Sequence, residues 1–240
     1  MNFFPRCCVL CQLETDTNFG LCSYCEPSLP FMHNFCSCCG LEFPAYSAEG
    51  TLCGGCVLQP PSFSFCRSVF HYQTPVDKLI TEFKFHAGFP SAQALIQLLC
   101  SEFKAYYQSS AAPQFLIPVP LHTQRLRERG FNQSMEIART LSKSTGIPIN
   151  HFLVTRKKNT APQMKMKSAK ARKSNLRKAF VMKPNRYSKN SGKASIESVS
   201  HIAVIDDVVT TTATVSALSR CLHDAGIARV DVWSLARASR

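Results

Sequence analysis

Between Thr155 and Lys193 the chain has no Asp and no Glu, although it places 14 Lys and Arg there. Outside that 39-residue stretch, 14 basic residues face 15 acidic ones, so the formal charge of +13 is concentrated in one segment. A block of one sign indicates either a polyanionic or phosphate-rich partner or a solvated basic loop that only aids solubility. Aromatics are scarce in it, with only Phe180 and Tyr187. A nucleic acid held there would gain little from base stacking and show slight sequence preference.

Long hydrophobic runs are also missing. None reaches the roughly 18 residues that a membrane-spanning helix needs. The opening "MNFFPRCCVLCQLE" has no apolar block of signal-peptide length before charge and cysteine intervene. These absences predict a cytoplasmic protein without a membrane span. The 45% hydrophobic content excludes a disordered chain, and 240 residues suffice for one medium domain plus a small one.

Cysteine is abundant, but unevenly so. Ten of the 13 lie in the first 56 residues, which in a cytoplasmic chain argues for metal over disulfides. They form four C-x-x-C knuckles: Cys8 and Cys11, Cys22 and Cys25, Cys36 and Cys39, Cys53 and Cys56. A two-residue insert lets both sulfurs turn to one ion, and two knuckles complete a tetrahedral thiolate site suited to zinc. Sequential pairing gives one site from Cys8, Cys11, Cys22 and Cys25 and another from Cys36, Cys39, Cys53 and Cys56. Spacing alone leaves an interleaved pairing open, and Cys7 and Cys38 stand next to ligands as substitutes. One or two structural zinc ions are expected, with an iron–sulfur cluster as the alternative. Four thiolates leave no open position for catalysis. Cys66, Cys100 and Cys221 read as small core residues. Residues 1–62 form the predicted ribbon domain, ending in the linker Gln59 to Phe65, and residues 63–240 form the second domain.

From Cys66 onward, strand-like and helix-like stretches alternate. "CRSVFHY", "QFLIPV", "HIAVI" and "RVDVWSL" read as strands. Helices are predicted from Val76, from Ser91 to about Tyr107, from Asn132 to about Thr145, and around Leu218 to Ala225. In the third of these, Asn132 and Gln133 read as caps. This alternation predicts an α/β fold with a mostly parallel sheet flanked by helices, in which ligands sit at the carboxyl ends of the strands. Lys183 to Ser198 reads as a surface insertion without chemistry of its own.

The most informative stretch is "HIAVIDDVVTTTATVSAL", from His201 to Leu218. A buried strand leads to Asp206 and Asp207, then to a hydroxyl-rich turn and a helix start. Backbone N–H groups at such a turn are an anion site, threonine hydroxyls add donors, and carboxylates accept from a neighbouring diol. A ligand with a phosphate beside a diol satisfies both halves.

"AVIDDVVTTTAT" resembles the phosphoribosyl pyrophosphate (PRPP) signature of type I phosphoribosyltransferases. "PVPLHTQRLRERGFNQS" (Pro118 to Ser134), the later Arg156, Thr160, Gln163, Asn175 and Phe180, and the cysteine head are similar to the ComF/GntX family. The resemblance covers nearly the whole chain. It implies that Asp206 and Asp207 hold the ribose hydroxyls with Mg²⁺ nearby. It implies that Val208, Val209, Thr210, Thr211, Thr212, Ala213 and Thr214 cradle the 5′-phosphate. It also implies that a loop from Leu121 to Arg129, carrying Arg125 and Arg129, approaches the pyrophosphate. The family resemblance implies natural competence, with competence and recombination proteins as partners. Single-stranded DNA is then the expected polyanion for Arg156, Lys157, Lys158, Lys165, Lys167, Lys170, Arg172 and Lys173.

Two departures from the signature bear on function. The usual turn has Gly where this chain has Thr212, so either that residue keeps a negative φ or the phosphate turn is distorted, and weakened binding is expected. Purine-type enzymes place a carboxylate where Thr210 stands, and threonine is no general base near neutral pH. Purine salvage is therefore not expected, and only His122 offers itself as a base. Two readings remain: a PRPP-binding adaptor in the handling of imported DNA, or an active phosphoribosyltransferase with an unidentified acceptor.

Overall fold

The computed structural model describes residues 7–15, 17, 20–85, 89–157, 179–183 and 199–239. Four strands form one parallel sheet in the order β1, β6, β5, β2. These are β1 (Phe65–His71), β2 (Phe115–Pro118), β5 (His201–Val209) and β6 (Arg229–Arg237). A short antiparallel pair, β3 (Val154–Arg156) and β4 (Phe180–Met182), stands apart from it.

The helices are α1 (Gly54–Leu58), α2 (Val76–Phe85), α3 (Phe89–Gln108), α4 (Thr123–Arg129), α5 (Gln133–Thr145) and α6 (Ala213–His223). Their apolar spacing shows which face each one buries. On α2, Val76, Leu79, Ile80 and Phe83 recur at i, i+3, i+4 and i+7, and all are buried. The α5 helix starts at Asn132, whose side chain accepts from Ser134 N at 3.1 Å, and stops at Gly146, which takes φ +77°. Both ends match the expected capping.

Period-two alternation divides the sheet residues between two cores. Ala203 and Ile205 of β5 and Trp233 and Leu235 of β6 pack with α2, α3 and α5. Ile202, Val204, Val230 and Val232 pack with α6 and the short hairpin. Helices therefore cover both faces of a parallel sheet, as the alternating pattern predicts.

Two local expectations change. The strand "HIAVI" continues through both acids to Val209, because β6 supplies partners that far: Asp206 lies opposite Ser234 and Val208 opposite Ala236. The predicted loop from Leu121 to Arg129 is mostly helix α4. His122 Nδ1 accepts from Gln124 N at 3.3 Å at its start, and Gly130 at φ +78° ends it.

The cysteine-rich head closes the free edge of β1. Met32 N donates to Val69 O at 2.9 Å, His71 N to Pro30 O at 2.8 Å, and Cys66 N to Cys38 O at 2.7 Å. These bonds satisfy an edge that would otherwise be a template for aggregation. At Gly40 a Cβ would lie 2.6 Å from the Cys66 carbonyl oxygen, and φ is +64°. Only glycine fits this approach of knuckle to strand. Among the described residues, no helix is long and apolar enough to cross a membrane.

Candidate functional site

The carboxyl end of β5 carries Asp206 and Asp207, and the turn beyond it leads into α6. Asp206 and residues 208–215 line a small open crevice. Asp206 Oδ1 accepts from Ser134 Oγ at 3.1 Å and from Asp207 N at 3.0 Å. Asp207 Oδ2 lies 2.9 Å from Lys84 Nζ. Both partners of that ion pair are mostly buried, with 17% and 15% of their side chains exposed.

These surroundings separate the two acids. Burial, followed by the charge of Asp207, pushes Asp206 up to about 8. Burial also opposes ionisation of Asp207, but Lys84 and hydrogen bonds from Asp206 and the Val208 backbone together hold that carboxyl below its ordinary range. The two carboxyls therefore titrate as a coupled pair in which Asp206 is the more readily protonated and Asp207 the more readily ionised. A protonated carboxyl donates a hydrogen bond while its ionised neighbour accepts one, which suits two adjacent hydroxyls of a sugar.

The turn has an unusual backbone. Thr212 takes φ +57° and ψ −6°, which excludes the expectation of a negative φ. A β-branched side chain in the left-handed region is strained. Thr212, the N-cap residue, makes no side-chain cap hydrogen bond, and the first N–H groups of α6 lie at the crevice mouth. Thr210 and Thr211 are exposed beside them.

Arg237 fixes the back of this turn. It is 2% exposed. Its Nη1 donates to the carbonyls of Val209 (3.1 Å), Thr210 and Ala238 (3.1 Å), and its Nε donates to Cys39 O at 3.3 Å. One guanidinium thus joins the turn to the second cysteine cluster.

The predicted arginines divide. Arg129 Nη1 donates to Gln133 Oε1 at 3.0 Å, which braces the start of α5. Burial lowers the pKa of Arg156, the charge of Arg125 adds to this, and Asp206 opposes it. Arg156 is therefore within electrostatic reach of Asp206, and Arg125 lies near enough to act on Arg156. Arg156, named in the sequence reading for DNA, is carried by β3 with its guanidinium 5.6 Å from the Phe180 ring centroid. Lys157 is exposed, while Lys158, Lys165, Lys167, Lys170, Arg172 and Lys173 lie outside the described residues. Lys84, Ser134 and Arg237 escaped the sequence reading altogether.

The cysteines settle the pairing. Sulfurs of Cys8, Cys11, Cys22 and Cys25 lie within 4.8 Å of one another, as do those of Cys36, Cys39, Cys53 and Cys56. The pairing is therefore sequential, and Cys7 and Cys38 belong to neither cluster. Cys11 Sγ and Cys22 Sγ are 3.7 Å apart, and Cys39 Sγ and Cys53 Sγ 3.6 Å. Zinc–sulfur bonds of about 2.3 Å at tetrahedral angles give sulfur separations of about 3.8 Å, so the residues fit zinc. Burial opposes ionisation of Cys36, yet backbone N–H groups of Cys39, Cys53 and Cys38 bring its thiol down to about 7. Cys66 and Cys100 are core residues at 1% and 2% exposure, whereas Cys221 is half-buried.

Residues 2–57 match the family model described as a double zinc ribbon domain. Over 99% of its length the chain is 35% identical to the whole of "Competence protein F" of Haemophilus influenzae. It is 33% identical to "DNA utilization protein YhgH" of Salmonella typhimurium, covering 97% of both chains. A further match, 31% identical over 72% of this chain and 64% of the relative, is "Competence protein ComFC" of Bacillus subtilis. With this ribbon head, the parallel α/β sheet behind it and full-length relatives of this kind, the chain belongs to the ComF family.

Proposed function

We propose that this protein binds PRPP or a related phosphorylated ribose at the β5–α6 crevice, binds single-stranded DNA, and serves in the cytoplasmic handling of DNA taken up by competent cells. One observation carries the sugar-phosphate part: the acid-bearing end of β5 shares one crevice with the turn and first residues of α6, so a diol and a phosphate have separate, adjacent places. The 5′-phosphate lies against residues 208–214, and the ribose hydroxyls against Asp206 and Asp207. Arg125 and Arg156 face the pyrophosphate, where their planar donor forks pair with phosphate oxygens.

Magnesium requires a qualification. Asp207 already has an ammonium partner and Asp206 retains its proton, so the chain offers no pair of free carboxylates to a divalent ion. The ion is held by the ligand's phosphates, whose charge it offsets. Zinc, held by the two sets of four cysteines, supplies structure and no chemistry of the ligand.

The DNA part rests on the 14 cations of residues 155–193 and on the relatives, whose names refer to competence and DNA utilization. Partners from the competence and recombination machinery follow from the same reading. Calorimetry with PRPP, with and without Mg²⁺, tests the crevice: binding by the wild type and its loss in the Asp206→Ala, Asp207→Ala double variant are expected. Single-stranded DNA titrated at two salt concentrations tests the basic stretch. Steep weakening with salt is expected, and a shallower slope when Lys165, Lys167, Lys170 and Lys173 become Ser.

A second reading, transfer of ribose 5-phosphate to an unidentified acceptor, draws on the same crevice. Pyrophosphate release from PRPP in the presence of pooled nucleobases and amines would favour it. Purine salvage does not fit, because exposed Thr210 stands where a base would be needed.

A further inference from the structure

Lys84 lies far from Asp207 in sequence, in the last turn of α2. Its place is built by packing. Val76, Leu79, Ile80 and Phe83 bury one side of α2, which brings the helix end to the carboxyl edge of the sheet. Gln133 Nε2 donates to Lys84 O at 3.5 Å and ties that end to the first turn of α5. The side chain passes Tyr72, whose ring centroid is 5.7 Å from Nζ, and ends 2.9 Å from Asp207 Oδ2. A lysine is favoured at a helix C-terminus, but this one points inward at a carboxylate and is mostly buried.

We infer that Lys84 is the resident cation of the diacid and stands where a divalent metal would otherwise bind. A buried carboxylate needs a counter-charge, and two adjacent acids with oxygen ligands are otherwise a natural place for Mg²⁺ or Mn²⁺. The ammonium meets that need with a single charge that the chain itself supplies. It keeps Asp207 ionised as an acceptor for a sugar hydroxyl, so Lys84 is a positioning residue acting through Asp207. The crevice is then ready for a sugar phosphate without prior metal loading. Magnesium affects affinity only through the ligand's own phosphates.

The test has two arms, and only the second rests on the proposed PRPP site. In the first, zinc-loaded full-length protein is titrated with Mn²⁺ and followed by electron paramagnetic resonance. Wild type is expected to show no Mn²⁺ site that depends on Asp207. Lys84→Gln is expected to gain one site, abolished by adding Asp207→Asn, while Lys84→Arg is expected to behave as wild type. An Mn²⁺ site in the wild type that disappears in Asp207→Asn overturns the inference, and that comparison does not need the Lys84→Gln variant to fold. A folded Lys84→Gln protein that gains no site overturns it equally.

In the second arm, ribose 5-phosphate, which lacks the pyrophosphate, is titrated with and without Mg²⁺. Wild-type affinity is expected to change less than about threefold, and Lys84→Gln affinity to become at least tenfold Mg²⁺-dependent. Equal Mg²⁺ dependence in the two proteins overturns the inference. If neither ribose 5-phosphate nor PRPP binds any variant, the proposed site is wrong, and the Mn²⁺ arm still decides the role of Lys84.

Discussion

The Arg237 guanidinium reaches the Cys39 carbonyl at 3.3 Å with Nε while Nη1 holds the carbonyl of Val209 at 3.1 Å. The ribbon and the β5–α6 turn thus share one buried cation. Replacing Arg237 with Met would strand several carbonyls whose donor is lost. A destabilisation of about 3 kcal/mol is expected, with faster zinc release to a chromophoric chelator. Arg237→Lys should not rescue it, because a point-like ammonium cannot span both sides. Unchanged zinc release in Arg237→Met would show that the link carries no load.

Thr212 predicts an unusual gain. Its left-handed backbone costs roughly 1–3 kcal/mol in a β-branched residue, against about 0.5–1 kcal/mol of added chain entropy for glycine. Thr212→Gly should therefore stabilise the protein by about 1 kcal/mol, or roughly 2–4 °C in melting temperature. It should also tighten phosphate or PRPP binding, measured by calorimetry. A fall in both would mean that the threonine side chain contributes more than its strain removes.

Asp206 makes stability depend on pH. Its carboxyl stays protonated up to about 8 in the folded chain but ionises near 4 when unfolded. The folded state then binds more protons between those values, so stability falls as pH rises through that window. Asp206→Asn keeps an oxygen for Ser134 and carries no such penalty. Its melting temperature should match wild type near pH 4 and exceed it by a growing margin toward pH 8, where the difference corresponds to several kcal/mol. A constant difference across that range would contradict the raised pKa.

The second cysteine cluster should be required for solubility. Cys36→Ser with Cys53→Ser removes two ligands of one site, and each structural zinc is worth on the order of 10–16 kcal/mol. Zinc measured by mass spectrometry should fall from two per chain to one. Loss of the knuckle would uncover β1, so dye-detected aggregation should rise. Two zinc ions retained in that variant would rule out the assigned ligand set.

What the sequence revealed was local. The C-x-x-C knuckles name their metal chemistry within four residues, and the acids, threonines and helix start of the β5–α6 turn follow one another directly. The alternation of apolar residues sufficed for a parallel α/β sheet. What it hid was assembled across distance. Ser134 meets Asp206 from 72 positions away, and Arg237 meets Cys39 from 198. Lys84 carried only a weak local signal, a lone cation beside a buried helical stripe. The family resemblance implied a loop from Leu121 to Arg129, although His122 and Gly130 cap a short helix there. Arg156 stood in the sequence both in the basic block and in the family resemblance, but its pairing with Phe180 in β3–β4 was not legible there.

The sheet order places β1 beside β6. During synthesis, residues 65–71 leave the ribosome long before residues 229–237 exist to pair with them. A parallel strand awaiting a distant partner is an invitation to wrong association. The metal-bound ribbon is made first and already occupies the opposite side of that strand through Met32, Pro30 and Cys38. One edge of β1 can therefore be covered before β6 exists to cover the other. Zinc limitation in the producing cell should reduce the yield of soluble protein more than it reduces the stability of protein already folded, as pulse labelling under chelation would reveal.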